Sequence, residues 1–206
     1  MFVCLDLQKY DEAIQACNQL MDLRFKKSMS ANVPLLEERC IKGIVGGALK
    51  VLEEAKLSKD VAAVDSAIRT IDRLSNLLDR LSSTMSEPWI WQVCAHVNDK
   101  LGKTDLVLDD LLKEHRALQA TKGWETSAEQ IKRVCQVALK ICAIHQQEGT
   151  KESYTKARFM VNRLIKKVRS SYVNEDEFPY EVAMLEEKLQ DIDQLIESIG
   201  LPRMVE

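Results

Sequence analysis

Chain breakers and rings are scarce in this sequence. Its 206 residues include seven glycines, four prolines and 5% aromatics. That is too few breakers for a fold of many short strands joined by tight turns. Three histidines, His96, His115 and His145, lie far apart and form no site by sequence. No stretch approaches the about eighteen uninterrupted apolar residues of a membrane-crossing helix. The opening MFVCLDLQKYDE lacks the basic start and long apolar run of a secretory signal. Six cysteines (Cys4, Cys17, Cys40, Cys94, Cys135, Cys142) show no close pairing and sit inside apolar patterns. Such cysteines are expected to be reduced and buried, in the cytoplasm, with the nucleus as a second compartment. A formal net charge of −3 gives no overall pull toward nucleic acid or anionic lipid.

What the chain does have is helix-forming material. Hydrophobic residues make up 46% and charged residues 30%, enough for a buried core under a polar surface. Apolar positions recur with a 3.6-residue period almost from end to end. The first long helix is expected over about Leu35–Leu57, with Leu36, Cys40, Ile44, Ala48, Val51 and Leu52 inward. Gly43, Gly46 and Gly47 interrupt it, and glycine costs about 1 kcal/mol there against alanine. Close packing against a neighbouring helix is the expected reason. The surrounding KGIVGGALK lacks the order of a phosphate-binding loop.

Asp60 is placed to cap a second helix that turns Val61, Val64, Ala67, Ile68, Ile71, Leu74, Leu78 and Leu81 inward. After a break at Ser82–Glu87, Pro88 opens the next helix at a favoured first-turn position. Further helices are expected at about Glu125–Gln147, Glu152–Tyr172 and Tyr180–Ile199, with NEDEFP (174–179) as a loop. Gly200 followed by Pro202 is the usual stop, so the C-terminus reads as finished. The pattern predicts an all-α protein.

Two stretches carry a repeat. In LQKYDEAIQACNQLMDL, residues 7–23, Tyr10, Ala13, Cys17 and Leu20 share one face. Ala13 holds the small place that lets two helices touch in a tetratricopeptide unit, a pair of antiparallel helices of about 34 residues. Cys17 and Leu20 depart from the usual aromatic and alanine. Met1 would fall about the eighth position of such a unit, so its first helix is expected to be cut short. In WIWQVCAHVNDKLGKTDLVLDDLLKEH, Trp91 takes the repeat's tryptophan place and Cys94 and Ala95 its leucine–glycine pair. Gly102 then falls at the turn, and Val107 and Leu111 on the second helix. The expected architecture is a tetratricopeptide-like solenoid of antiparallel helix hairpins, one helical-repeat body over 1–206. It comprises a truncated repeat (1–27), a hairpin (33–83), a degenerate repeat (87–120) and capping helices (124–200).

Together, LQKYDEAIQACNQLMDLR, WIWQVCAHV and KGWETSAEQIKRVCQVALKI, with its isolated Trp124, resemble the C-terminal region of the tetratricopeptide repeat protein 27 family. The resemblance covers nearly the whole chain. It implies a non-enzymatic scaffold linked to assembly of the spliceosomal U5 particle alongside the Hsp90 chaperone system. Partners would be other proteins of those systems, with no cofactor, membrane or small-molecule substrate.

Two surfaces are candidate sites. By repeat position, Gln92, His96, Asp99 and Lys100 would line the groove that grips peptides, although a solvated helix face has the same composition. A chaperone-tail clamp holds a carboxylate with cations and would want Lys and Asn where Gln92 and His96 stand. That clamp is absent here. Near the C-terminus, residues 151–173 hold seven basic side chains against Glu152, while 175–197 hold nine acids against Lys188. Lys156, Arg163 and Lys167 fall within about 40° on the helix, with Lys166 beside them. Contact with RNA phosphate is conceivable, but no aromatic is assigned to that face. Mutual pairing of the last two helices is the expected explanation. Cys135, Cys142 and His145 are read as core, since structural zinc usually brings a close cysteine pair.

Overall fold

A computed structural model of the chain describes residues 12–19, 33–59, 61–84, 87–171 and 180–200. Every long element in it is a helix. Residues 12–19 form α1. Then follow α2 (Val33–Ser58), α3 (Val61–Thr84), α4 (Pro88–Lys100) and α5 (Thr104–Ala120). A short 3-10 turn, Trp124–Thr126, leads to α6 (Ala128–Glu148), α7 (Lys151–Ser171) and α8 (Tyr180–Gly200). These bounds lie within a few residues of the expected ones. Tyr10, Leu20, the 28–32 connector, Asp60, the 174–179 loop, Cys4 and Pro202 lie outside the described residues.

The chain forms two compact units, 1–107 and 108–206. In the first, α2 and α3 form a hairpin and α4 packs on both. The reason is a shared apolar stripe. Ile41, Val45, Ala48, Leu49 and Leu52 of α2 meet Ala67, Ile71, Leu74, Leu78 and Leu81 of α3 in one core. Steps of three and four residues keep each set on one side of its helix. Ile14 and Cys17 of α1 join that core, and Ala13 packs partly buried against it. The Arg80 guanidinium also donates to the Asn18 side-chain oxygen, at 2.5 Å. From α4 come Trp89, Ile90, Val93, Cys94 and Val97. The buried tryptophan of the WIW triplet is thus Trp89, and Trp91 is half-buried.

The end of α4 is a Schellman turn. Gly102, at φ 71, places its N–H on the Asp99 carbonyl at 3.0 Å, and Lys103 reaches Asn98 at 2.9 Å. These bonds satisfy carbonyls that a helix end leaves bare. Val107 and Leu111 on α5 are buried.

Three expectations for these helices need correction. Gly43 and Gly46 are exposed, and a Cβ built on either meets nothing within 4 Å, so neither makes room for a neighbour. The structure offers no compensation for their helix cost. Val61 and Ile68 of α3 are exposed at 73% and 36%, because they fall at the edge of the stripe, while Leu77 takes an inward place instead. On α8, Val182, Leu185 and Ile192 are buried but Ile199 is exposed, since the last turn runs past the core.

In the second unit α7 packs against both α6 and α8, which also touch each other. Ser127 caps α6 by accepting from the Gln130 N–H at 3.5 Å, and Gly149 ends it at φ 67. Thr150 then caps α7, accepting from the Ser153 N–H at 3.1 Å. This punctuation makes α6–α7 a tight hairpin. Trp124 is driven into the unit, 1% exposed, by the left-handed Gly123 (φ 75) ahead of it and by contact of its turn with α6 and α7.

Candidate partner-binding surfaces

The buried row of α4 fixes where its polar residues point. With Ile90, Val93, Cys94 and Val97 inward, Gln92, His96, Asp99 and Lys100 fall on the outer side, and all four are exposed. The helix places them on one outer side. It also brings a residue that sequence reasoning missed. Glu53 of α2 meets Lys100, with Nζ to Oε1 at 2.5 Å. The hydrogen bond and charge of Lys100 hold the Glu53 carboxyl below the usual carboxylate range, and Glu53 in turn raises the Lys100 ammonium. The cation at this end of the patch is therefore committed to a neighbouring helix. What remains is a polar surface of amide, imidazole and carboxylate. No sequence signal joins Glu53 to Lys100, because the pair forms only when α2 and α4 pack.

The basic residues of α7 divide into two rows. Arg158 and Arg169 turn toward α8 and pair with Asp193 at 2.6 Å and Glu186 at 2.5 Å. On this row the expected pairing of the last helices is present. Lys156, Arg163, Lys166 and Lys167 form the other row and face outward, all exposed. Lys156 is paired with Glu152 at 2.7 Å, one turn back on its own helix. This bond lowers the Glu152 carboxyl and raises the Lys156 ammonium. Lys167 lies with Nζ 4.9 Å from the centre of the Trp124 ring, a cation–π contact. Arg163 and Lys166 make no ion pair among the described residues.

The expectation that this face lacks an aromatic is wrong. Phe159 is 69% exposed and stands one turn after Lys156 and one turn before Arg163. That spacing was visible in the sequence.

Cys135, Cys142 and His145 are interior groups. Cys135 and Cys142 are fully buried, and burial pushes their thiols up to about 12 and about 11. Thiols that stay protonated are poor nucleophiles and poor metal ligands. His145 is buried too, its Nδ1 3.1 Å from Glu148 Oε2. Among the described residues no three His, Cys, Asp or Glu gather as a metal cluster. Among the described residues no helix is long and apolar enough to cross a membrane.

No family model matches the chain. A tetratricopeptide repeat protein 27 homolog from Dictyostelium discoideum is 25% identical over 173 residues, which is 84% of this chain and 18% of that protein. The chain thus spans less than a fifth of the relative's length. Among solved structures, the de novo designed helical repeat protein DHR64 aligns with a TM-score of 0.39 and 16% identity, over 94% of this chain and 97% of its own. The DHF58 filament aligns with a TM-score of 0.42 and 16% identity, over 94% and 95%. The fold is all-α and tetratricopeptide-like, a helical repeat built from antiparallel hairpins.

Proposed function

We propose that this chain is part of a non-enzymatic protein-interaction scaffold of the tetratricopeptide repeat protein 27 type. The observation that carries the reading is the likeness to that protein across most of the chain. Helical repeats of this kind stack units to build extended binding surfaces. In this reading the partner groove is the exposed row Gln92, His96 and Asp99, with Lys100 anchoring it to α2. Its role, by resemblance, is chaperone-linked assembly of a ribonucleoprotein particle of the spliceosomal U5 type. RNA contact as a function has only the outward cations of α7 in its favour.

The test is affinity purification from cell lysate with this chain as bait, read by mass spectrometry. Recovery of spliceosomal assembly proteins or chaperone components is expected, and it should be lost from a bait carrying Gln92→Ala, His96→Ala and Asp99→Ala. Those side chains are exposed, so the variant should melt like the parent. A folded bait that recovers neither class would remove the proposal.

A further inference from the structure

Phe159 is a large, exposed apolar side chain on a helix face that carries Lys156, Arg163 and Lys166 and the acid Glu152. The buried row of α7 includes Ala157, Val161, Leu164 and Val168. At about 100° per residue, Phe159 stands directly opposite the middle of that row. It therefore lies on the side of α7 turned away from α6 and α8. Lys156, Arg163 and Lys166 lie within about one turn or two of it, and the acid on that side, Glu152, is occupied by Lys156. A ring held out in water among cations gains nothing from the fold.

Inside the same unit α7 already shows what its basic side chains hold. Its other row, Arg158 and Arg169, grips an acidic helix, α8, through Asp193 and Glu186. The outward row has the same charge, with an apolar residue at its centre. Interfaces are enriched in aromatic and arginine anchors at their centre, ringed by polar contacts.

We propose that the outward face of α7 docks an acidic, helical protein segment. Its carboxylates meet Arg163 and Lys166, and an apolar side chain covers Phe159. A nucleic acid fits less well. Strand-binding surfaces stack successive bases on several aromatic groups, and here there is one. The carboxylates of α8 beside α7 would also repel a continuous phosphate backbone. The proposal rests on the protein-interaction reading but uses a different face from the α4 groove, so each fails independently.

The experiment is a fluorescence-anisotropy titration of the full chain. The probe is a labelled twenty-residue amphipathic peptide with glutamates on one face and leucines on the other. Its glutamine counterpart and a single-stranded RNA of fifteen mixed nucleotides serve as competing probes. Saturable binding of the acidic peptide is expected, weakening as salt is raised. Phe159→Ala alone and the double variant Arg163→Glu, Lys166→Glu should each lower affinity at least tenfold. Both should leave the far-ultraviolet circular dichroism and melting temperature of the parent, because these side chains are exposed. The proposal is overturned if the acidic peptide does not bind, if its glutamine counterpart binds equally, or if Phe159→Ala leaves affinity unchanged. It is equally overturned if the RNA binds more tightly than the peptide through the same residues.

Discussion

The two helical hairpins α2–α3 and α6–α7 have similar lengths and the same hydrophobic logic, yet they place glycine differently. In α6–α7 the glycines stand where the backbone needs them. Gly123 and Gly149 have φ 75 and 67, a region where a Cβ is strained. In α2–α3, Gly43 and Gly46 occupy a helix interior with open space around them. The left-handed position after α2 is held by Lys59, at φ 57. One hairpin has local choices that agree with its fold, and the other folds despite them. The difference shows that burial of the α2 and α3 stripes dominates, because stripe burial outweighs a few unfavourable backbone choices of about 1 kcal/mol each.

Removing the cores themselves should have the largest effect and blur the contrast. Trp124→Ala in the second unit and Leu74→Ala in the first delete fully buried side chains. Each is expected to cost about 3–5 kcal/mol for the tryptophan and 2–5 kcal/mol for the leucine, read as denaturant midpoints. Equal midpoints for parent and Trp124→Ala would mean the 3-10 turn does not anchor its unit.

Acid should then act on the second unit through His115, which is buried on α5. Burial first, and the Arg116 charge second, lower its imidazole from 6.5 to about 4. The unfolded chain therefore takes up the proton first as pH falls. The stability contributed by the neutral imidazole is complete above about 6.5 and is lost between there and about 4, by at most about 3 kcal/mol. His115→Gln should flatten the melting temperature in that window. A slope identical to the parent's would assign the acid sensitivity to carboxylates. One such group is Glu148, held below the usual carboxylate range first by the Ser153 hydroxyl and then by His145.

The glycines give smaller effects of opposite sign, which is the sharpest test of the comparison. Gly149→Ala is expected to destabilise by about 1–2 kcal/mol. Gly43→Ala and Gly46→Ala should each stabilise by up to about 1 kcal/mol. Lys59→Gly should stabilise as well, since glycine adopts positive φ freely. Thermal unfolding of the four variants decides it, and a loss of stability in Gly43→Ala would show that something occupies that face.

The smallest effect concerns the candidate groove. The exposed Glu53–Lys100 pair should show only weak coupling in a double-mutant cycle, and that coupling should fade with added salt. Strong, salt-resistant coupling would mean that the pair is shielded and structural.

Much of this was legible beforehand. The helices and most of their inward residues follow from apolar spacing, because a 3.6-residue period leaves one stripe to bury whatever the neighbours are. The grouping of Gln92, His96, Asp99 and Lys100 on one face follows from the same geometry. Less legible was which apolar residues miss the core. Val61, Ile68 and Ile199 fit their helices' periodic patterns but lie at a stripe edge or in a last turn that runs past the core. Periodicity gives a direction around the axis and does not say where the neighbouring helix stops.

By itself, then, the sequence determined the all-α architecture and the charge of each helix face, since these depend on residues three to five apart. Only the tertiary structure decided that Lys100 is taken by Glu53, that Arg158 and Arg169 are taken by α8, and that Arg163, Lys166 and Phe159 are left facing outward. Those outcomes depend on which side of each helix a neighbour covers, and that is set by packing between segments distant in the chain.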